Sequence, residues 1–128
     1  KYIGIKKSKN DFLVIFSEKK ANAAGVFTKN KVKGAPLLVS IKNLKNGKAQ
    51  AIVVNSGVSN VATGNKGLDD AYKTAEIASN ELGIDKNDIL VASTGIIGKF
   101  LPMDSCHFEQ KRGRYFVGKF YVYFHTAF

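Results

Sequence analysis

The feature that most constrains the fold is a strand–loop–helix–strand run between Gln50 and Ala92. Gln50–Asn55 is rich in Ile and Val, as a buried strand is. Gly57 to Gly67 holds three glycines with Ser, Asn and Thr, and predicts a loop. Leu68, Ala71, Tyr72, Ala75, Ala78 and Leu82 then follow the 3–4 spacing of one helical face, predicting a helix over Leu68–Leu82. Asp69 and Asp70 fall in the first turn of that helix, where carboxylates favour its dipole. Gly83 is a left-handed stop, with Ile84 folding back on the last turn. Asp85–Asp88 reads as a turn and Ile89–Ala92 as the next strand. A helix of this length between two strands is a βαβ crossover, so the class is α/β with a strand-rich sheet. Glycine-rich backbone follows both strands, at Ser56-Gly57 and Thr94-Gly95. Ligands collect at such carboxyl ends in open α/β sheets.

Upstream, Phe12–Phe16 (F-L-V-I-F) predicts a strand buried on both faces. Gly25–Thr28 and Leu37–Ile41 read as further strands, with Pro36 at the start of the latter, where no ladder donor is required. Asn46-Gly47 is a turn signal. The 128 residues suffice for one domain with a modest core. No apolar run approaches the roughly 20 residues of a membrane span, and no secretory leader pattern is visible. One cysteine, Cys106, excludes an internal disulfide framework and suits a reducing cytoplasm.

The formal net charge is +10. Its lysines are scattered through the polar gaps between apolar runs, which predicts a solvated basic surface rather than a nucleic-acid site. Composition changes sharply after Asp104. Residues 1–104 carry 16 lysines, no arginine and nine acids. Residues 105–128 carry both arginines, Arg112 and Arg114, and eight of the 14 aromatics. Tyr115–Phe128 has high β-propensity without clean alternation, so both its faces are apolar. One reading is a strand that must be buried on both sides to avoid aggregation. The other is a shifted reading frame or truncated gene product.

Ser93-Thr94-Gly95 is the segment with chemical potential. A glycine at a strand end lets the backbone turn its N–H outward, and the adjacent hydroxyl is a second donor. Two converging donors can hold an oxyanion, each worth about 3–4 kcal/mol in known cases. On the residues alone the simpler reading is a strand-end turn in which Thr94 bonds to its own backbone. Other patterns carry less. Cys106-His107 are adjacent and so poorly placed as a nucleophile–base pair. Two histidines and one cysteine lack metal-ligand spacing. Ser93–Gly98 followed by Lys99 lacks the phosphate-loop pattern.

Three segments carry a family resemblance: Asn22–Asn30 (N-A-A-G-V-F-T-K-N), Ala51–Gly64 (A-I-V-V-N-S-G-V-S-N-V-A-T-G) and Leu90–Asp104 (L-V-A-S-T-G-I-I-G-K-F-L-P-M-D). Over roughly residues 2–104 the chain resembles the bifunctional ornithine acetyltransferase / glutamate N-acetyltransferase family of arginine biosynthesis. In that family the Thr-Gly of the S-T-G-x-I-G segment forms the oxyanion hole. The resemblance therefore implies that role for Thr94, through its hydroxyl, and Gly95, through its N–H. The family's V-V-N-S-G-N-A-N-A-C-T-G segment corresponds to Val53–Gly64, with Val58 in place of the first loop Asn and Ala62 in place of the cysteine. It is read as a structural loop near the site.

The resemblance further implies a cytoplasmic enzyme without metal or organic cofactor, transferring acetyl from N-acetylornithine to glutamate, with acetyl-CoA as a possible second donor. It implies a precursor that cleaves itself at an Ala-Thr bond, a β chain whose N-terminal threonine is the nucleophile, and an α2β2 assembly. The 128 residues contain no Ala-Thr-Met-Leu segment, and Ala62-Thr63 and Thr126-Ala127 are no substitutes. The expectation is an α-chain portion at 1–104, an unmatched tail at 105–128, and no transferase activity from this polypeptide alone. Two rival readings remain: a basic binding protein using the tail against nucleic acid, and an inactive remnant.

Overall fold

The computed structural model describes residues 4–6 and 10–105. The expectations for the tail, including Cys106-His107 and Tyr115–Phe128, lie outside the described residues. Strand β1 (Phe12–Asn22), helix α1 (Ala35–Asn43), strand β2 (Lys48–Val58), helix α2 (Gly64–Leu82) and strand β3 (Ile89–Ile96) follow in order. The sheet order is β1-β2-β3. β1 pairs antiparallel with β2, and β2 pairs parallel with β3 through α2, which is the predicted crossover.

Strand alternation divides the apolar residues between two faces. Phe12, Ala51, Val53, Ile89 and Val91 meet Ala35 and Val39 of α1 and Ala71, Ala75 and Ala78 of α2. The three alanines, at most 2% exposed, let α2 lie close on the sheet. Each large aliphatic side chain sealed here contributes roughly 1.5–3 kcal/mol. On the opposite face Ile52 and Leu90 are covered by Ala23 and Leu44.

Four local expectations change. Leu37–Ile41 is not a strand but part of α1. Pro36 occupies the first turn of that helix, where its missing N–H costs nothing. The buried residues Pro36, Val39, Ser40 and Asn43 lie at helical spacing, while Leu38 is 44% exposed. Gly25–Thr28 is not a strand either. Just beyond it the Thr28 hydroxyl accepts from Asn30 N–H and Asn30 Oδ1 accepts from Val32 N–H, so local side chains close turns over residues 28–32.

Phe12–Phe16 belongs to a longer edge strand and is not buried on both faces, since Leu13 is 54% exposed. Finally, the Gly57–Gly67 loop is shorter than expected. β2 extends to Val58 and α2 begins at Gly64, leaving Ser59–Thr63 between them. Asp69 and Asp70 therefore sit past the first turn, and Asp70 instead pairs with Lys66 at 3.1 Å. The Gly83 stop appears as expected. Its φ is 66°, and the N–H groups of Gly83 and Ile84 both donate to the Ser79 carbonyl.

Candidate functional site at the carboxyl ends of β2 and β3

β3 runs on through Ile96, so Ser93, Thr94 and Gly95 are strand residues rather than the start of a loop. They pair in register with Asn55, Ser56 and Gly57 of β2. Gly57 and Gly95 both have positive φ, 115° and 133°. A Cβ added to Gly95 would lie 2.3 Å from the Gly57 carbonyl carbon, and one added to Gly57 would lie 2.5 Å from Ile5 Cγ2. The two strands thus meet along bare backbone, with Ile5 packed on the far side. Residues 5 and 6 are held there by Asp11, whose buried carboxylate accepts from the N–H groups of Ile5 (2.7 Å) and Lys6 (2.9 Å).

The edge of β3 changes character along its length. Near its start the Ser40 hydroxyl donates to the Val91 carbonyl and accepts from the Val91 N–H, both at 2.8 Å. Asn43 Nδ2 donates to the Ile89 carbonyl at 2.8 Å. Ile89 and Val91 therefore turn their backbone groups to the outer edge, and strand alternation gives Ser93 and Gly95 the same outward parity. Both Thr94 and Gly95 are exposed. Among the described residues the Thr94 hydroxyl has no hydrogen-bond partner. Thr94 shares strand parity with Leu90 and Ala92, on the face away from the helices.

Below this pair the polar residues are fully engaged. The Ser93 hydroxyl donates to Asn55 Oδ1, and Asn55 Nδ2 donates to the Val58 carbonyl at 2.8 Å. The Ile96 carbonyl accepts from both Ser59 N–H (3.0 Å) and Ser59 Oγ (2.9 Å). Gly98 N–H donates to the Val61 carbonyl at 2.9 Å. The Ser59–Thr63 loop expected near the site is thus bonded to the chain that leaves Gly95. The sequence offered little sign of this role, since Ser59 and Asn60 look like ordinary loop residues. Asn60 and Ala62 also take positive φ, 51° and 56°. For alanine this costs roughly 1–2 kcal/mol.

A cleft of about 290 Å3 lies between α1, α2 and the turn at Lys86-Asn87, lined by Lys42, Tyr72, Lys73, Glu76 and Lys86 among others. There Lys73, hydrogen-bonded to Glu76, holds that carboxyl below its usual range, with Lys86 adding a smaller pull. This cleft is remote from Thr94 and mixed in charge. No helix among the described residues is long and apolar enough to cross a membrane.

The ArgJ family model matches residues 1–113. The arginine biosynthesis bifunctional protein ArgJ 2 of Clostridium acetobutylicum is 54% identical over 104 residues, covering 81% of this chain and 27% of that protein. ArgJ of Caldanaerobacter subterraneus is 50% identical over 103 residues, covering 80% and 26%. The chain thus spans about a quarter of the length of the curated relatives it matches. Among solved structures, ArgJ of Bacillus halodurans superposes with a TM-score of 0.79 at 43% identity, covering 81% of this chain and 55% of that one. An ornithine acetyltransferase of Mycobacterium tuberculosis in complex with ornithine gives 0.78 at 40%, covering 81% and 57%.

Proposed function

This chain belongs to the ArgJ family, and we propose that it supplies the oxyanion hole of an acetyl transfer in arginine biosynthesis. The observation that carries this reading is the placement of Thr94 and Gly95. They are adjacent, exposed and at the carboxyl end of β3, in a position where Gly57 leaves no room for a side chain on Gly95.

In the proposed reaction the β portion of the enzyme provides an N-terminal threonine, whose hydroxyl attacks the acetyl carbonyl of N-acetylornithine. Its own amine takes the proton. The carbonyl oxygen becomes an oxyanion, stabilised by the Thr94 hydroxyl and the Gly95 N–H. Collapse returns a proton to the leaving amine and frees ornithine. Glutamate then takes the acetyl group through a second tetrahedral intermediate at the same donors. Acetyl-CoA is the alternative donor in the first half. The transfer is ping-pong, uses no cofactor, and belongs to a cytoplasmic α2β2 assembly. A solved relative bound to ornithine supports the donor assignment.

The test uses a completed enzyme, residues 1–104 joined in frame to the remaining portion of the Clostridium acetobutylicum relative. In that enzyme Thr94→Ala should lower kcat about 10²–10³-fold, the usual cost of one oxyanion donor. A variant that stays within threefold of the parent removes Thr94 from the mechanism. The 128-residue polypeptide by itself should give no turnover.

A further inference from the structure

We propose that Asn60 is a positioning residue that fixes the strand end bearing Thr94 and Gly95, an inference that rests on the oxyanion reading above. Asn60 is completely buried yet polar, and it has a left-handed backbone at φ 51°. Asparagine tolerates that conformation better than most residues.

Each polar group of its side chain is engaged within the fold. Nδ2 donates to the Gly67 carbonyl in the first turn of α2 at 2.8 Å. Oδ1 accepts from the Thr63 hydroxyl at 2.7 Å. Its main-chain carbonyl accepts from Ala35 N–H at the start of α1, at 3.1 Å. One residue thus ties the amino ends of both helices to a single loop. Gly67 fits the same arrangement. A Cβ there would lie 1.8 Å from Thr63 Oγ1 and 2.4 Å from Asn60 Oδ1, so the helix backbone has come against this pair as closely as it can.

The residues flanking Asn60 carry the effect to the site. Ser59 donates twice to the Ile96 carbonyl, and Val61 accepts from Gly98 N–H. These three bonds hold the first residues after Gly95. With Gly57 close against Gly95 from β2, the chain around Gly95 is fixed from both sides. An oxyanion hole depends on donors already in place before the charge develops. Asn60 supplies that rigidity without touching substrate.

The test compares amide hydrogen exchange in the full 128-residue chain before and after Asn60→Gly, which keeps the left-handed backbone and removes the amide. Thr63→Val is the milder second variant. Exchange at Gly98 and Ser59 should accelerate at least tenfold, while Leu90 and Ala78 in the core stay within twofold. In the completed enzyme Asn60→Gly should lower kcat at least tenfold with KM within twofold, and Thr63→Ser should restore what Thr63→Val loses. Uniform acceleration across the core, or none at Gly98 in either variant, overturns the positioning role. So does a local acceleration with unchanged kcat where Thr94→Ala is strongly impaired. If Thr94→Ala retains full rate, the oxyanion reading has failed, and the positioning of a catalytic donor fails with it, whatever the exchange data show.

Discussion

The two ends of β3 differ more than their shared strand geometry suggests. At Ile89–Val91 all three side chains are at most 2% exposed, and the outer edge is closed by Ser40 and Asn43. Three residues beyond Val91, Thr94–Ile96 is exposed, paired through two glycines, and held mainly by loop backbone. The closed end anchors the strand through burial and satisfied polar groups. The open end gives up that burial and leaves Thr94 and Gly95 accessible. Rigidity there must come from hydrogen bonds rather than packing, which is why the loop beneath it is so densely bonded.

This contrast can be broken from the closed end. Ile89→Ala should cost about 2–5 kcal/mol in chemical denaturation, because the site has little freedom to collapse. The folded completed enzyme should nevertheless keep kcat within about threefold. A large loss of rate at intact stability would mean that the two ends are not separable. Ser40→Ala is the next step down. It strips the partner from both the N–H and the carbonyl of Val91, and a cost of about 1–3 kcal/mol is expected, read as a shift in denaturation midpoint at constant slope. Ala62→Gly sharpens the comparison from the other side. Relief of the positive φ outweighs the added freedom of the unfolded chain, so stability should rise by roughly 0.5–1 kcal/mol. No gain would show that the strain at Ala62 is already balanced by its surroundings.

The crossover was legible because its signals agree. Helical spacing over Leu68–Leu82, a glycine stop at Gly83 and β-branched strands on either side all point to one topology. α1 was not legible as a helix, because a short run such as Leu37–Ile41 satisfies strand and helix patterns alike. What decides it is Pro36 at the start and the polar stripe of Ser40 and Asn43. That stripe has meaning only once its partners Val91 and Ile89 are known, 51 and 46 residues away. The same limit applies at the candidate site. Thr94 and Gly95 stand out by motif, but the close approach of Gly57 and the bonds around Asn60 depend on a register that no local window contains.

The sealing of β3 by the Ser40 hydroxyl bears on self-association. A strand from another molecule cannot add along Ile89–Val91, because those backbone groups are already occupied. Sheet-to-sheet polymerisation through that half of the strand is blocked at the level of the single molecule. The opposite rim, β1, is left to a different guard: exposed Glu18, Lys19 and Lys20, with Lys20 anchored on buried Asp88 at 2.5 Å. Charged side chains on an edge strand disfavour the addition of a second strand, since pairing would strip water from them. Among the described residues, Ser40 and Asn43 thus guard the first half of β3, and charged side chains guard the far part of β1.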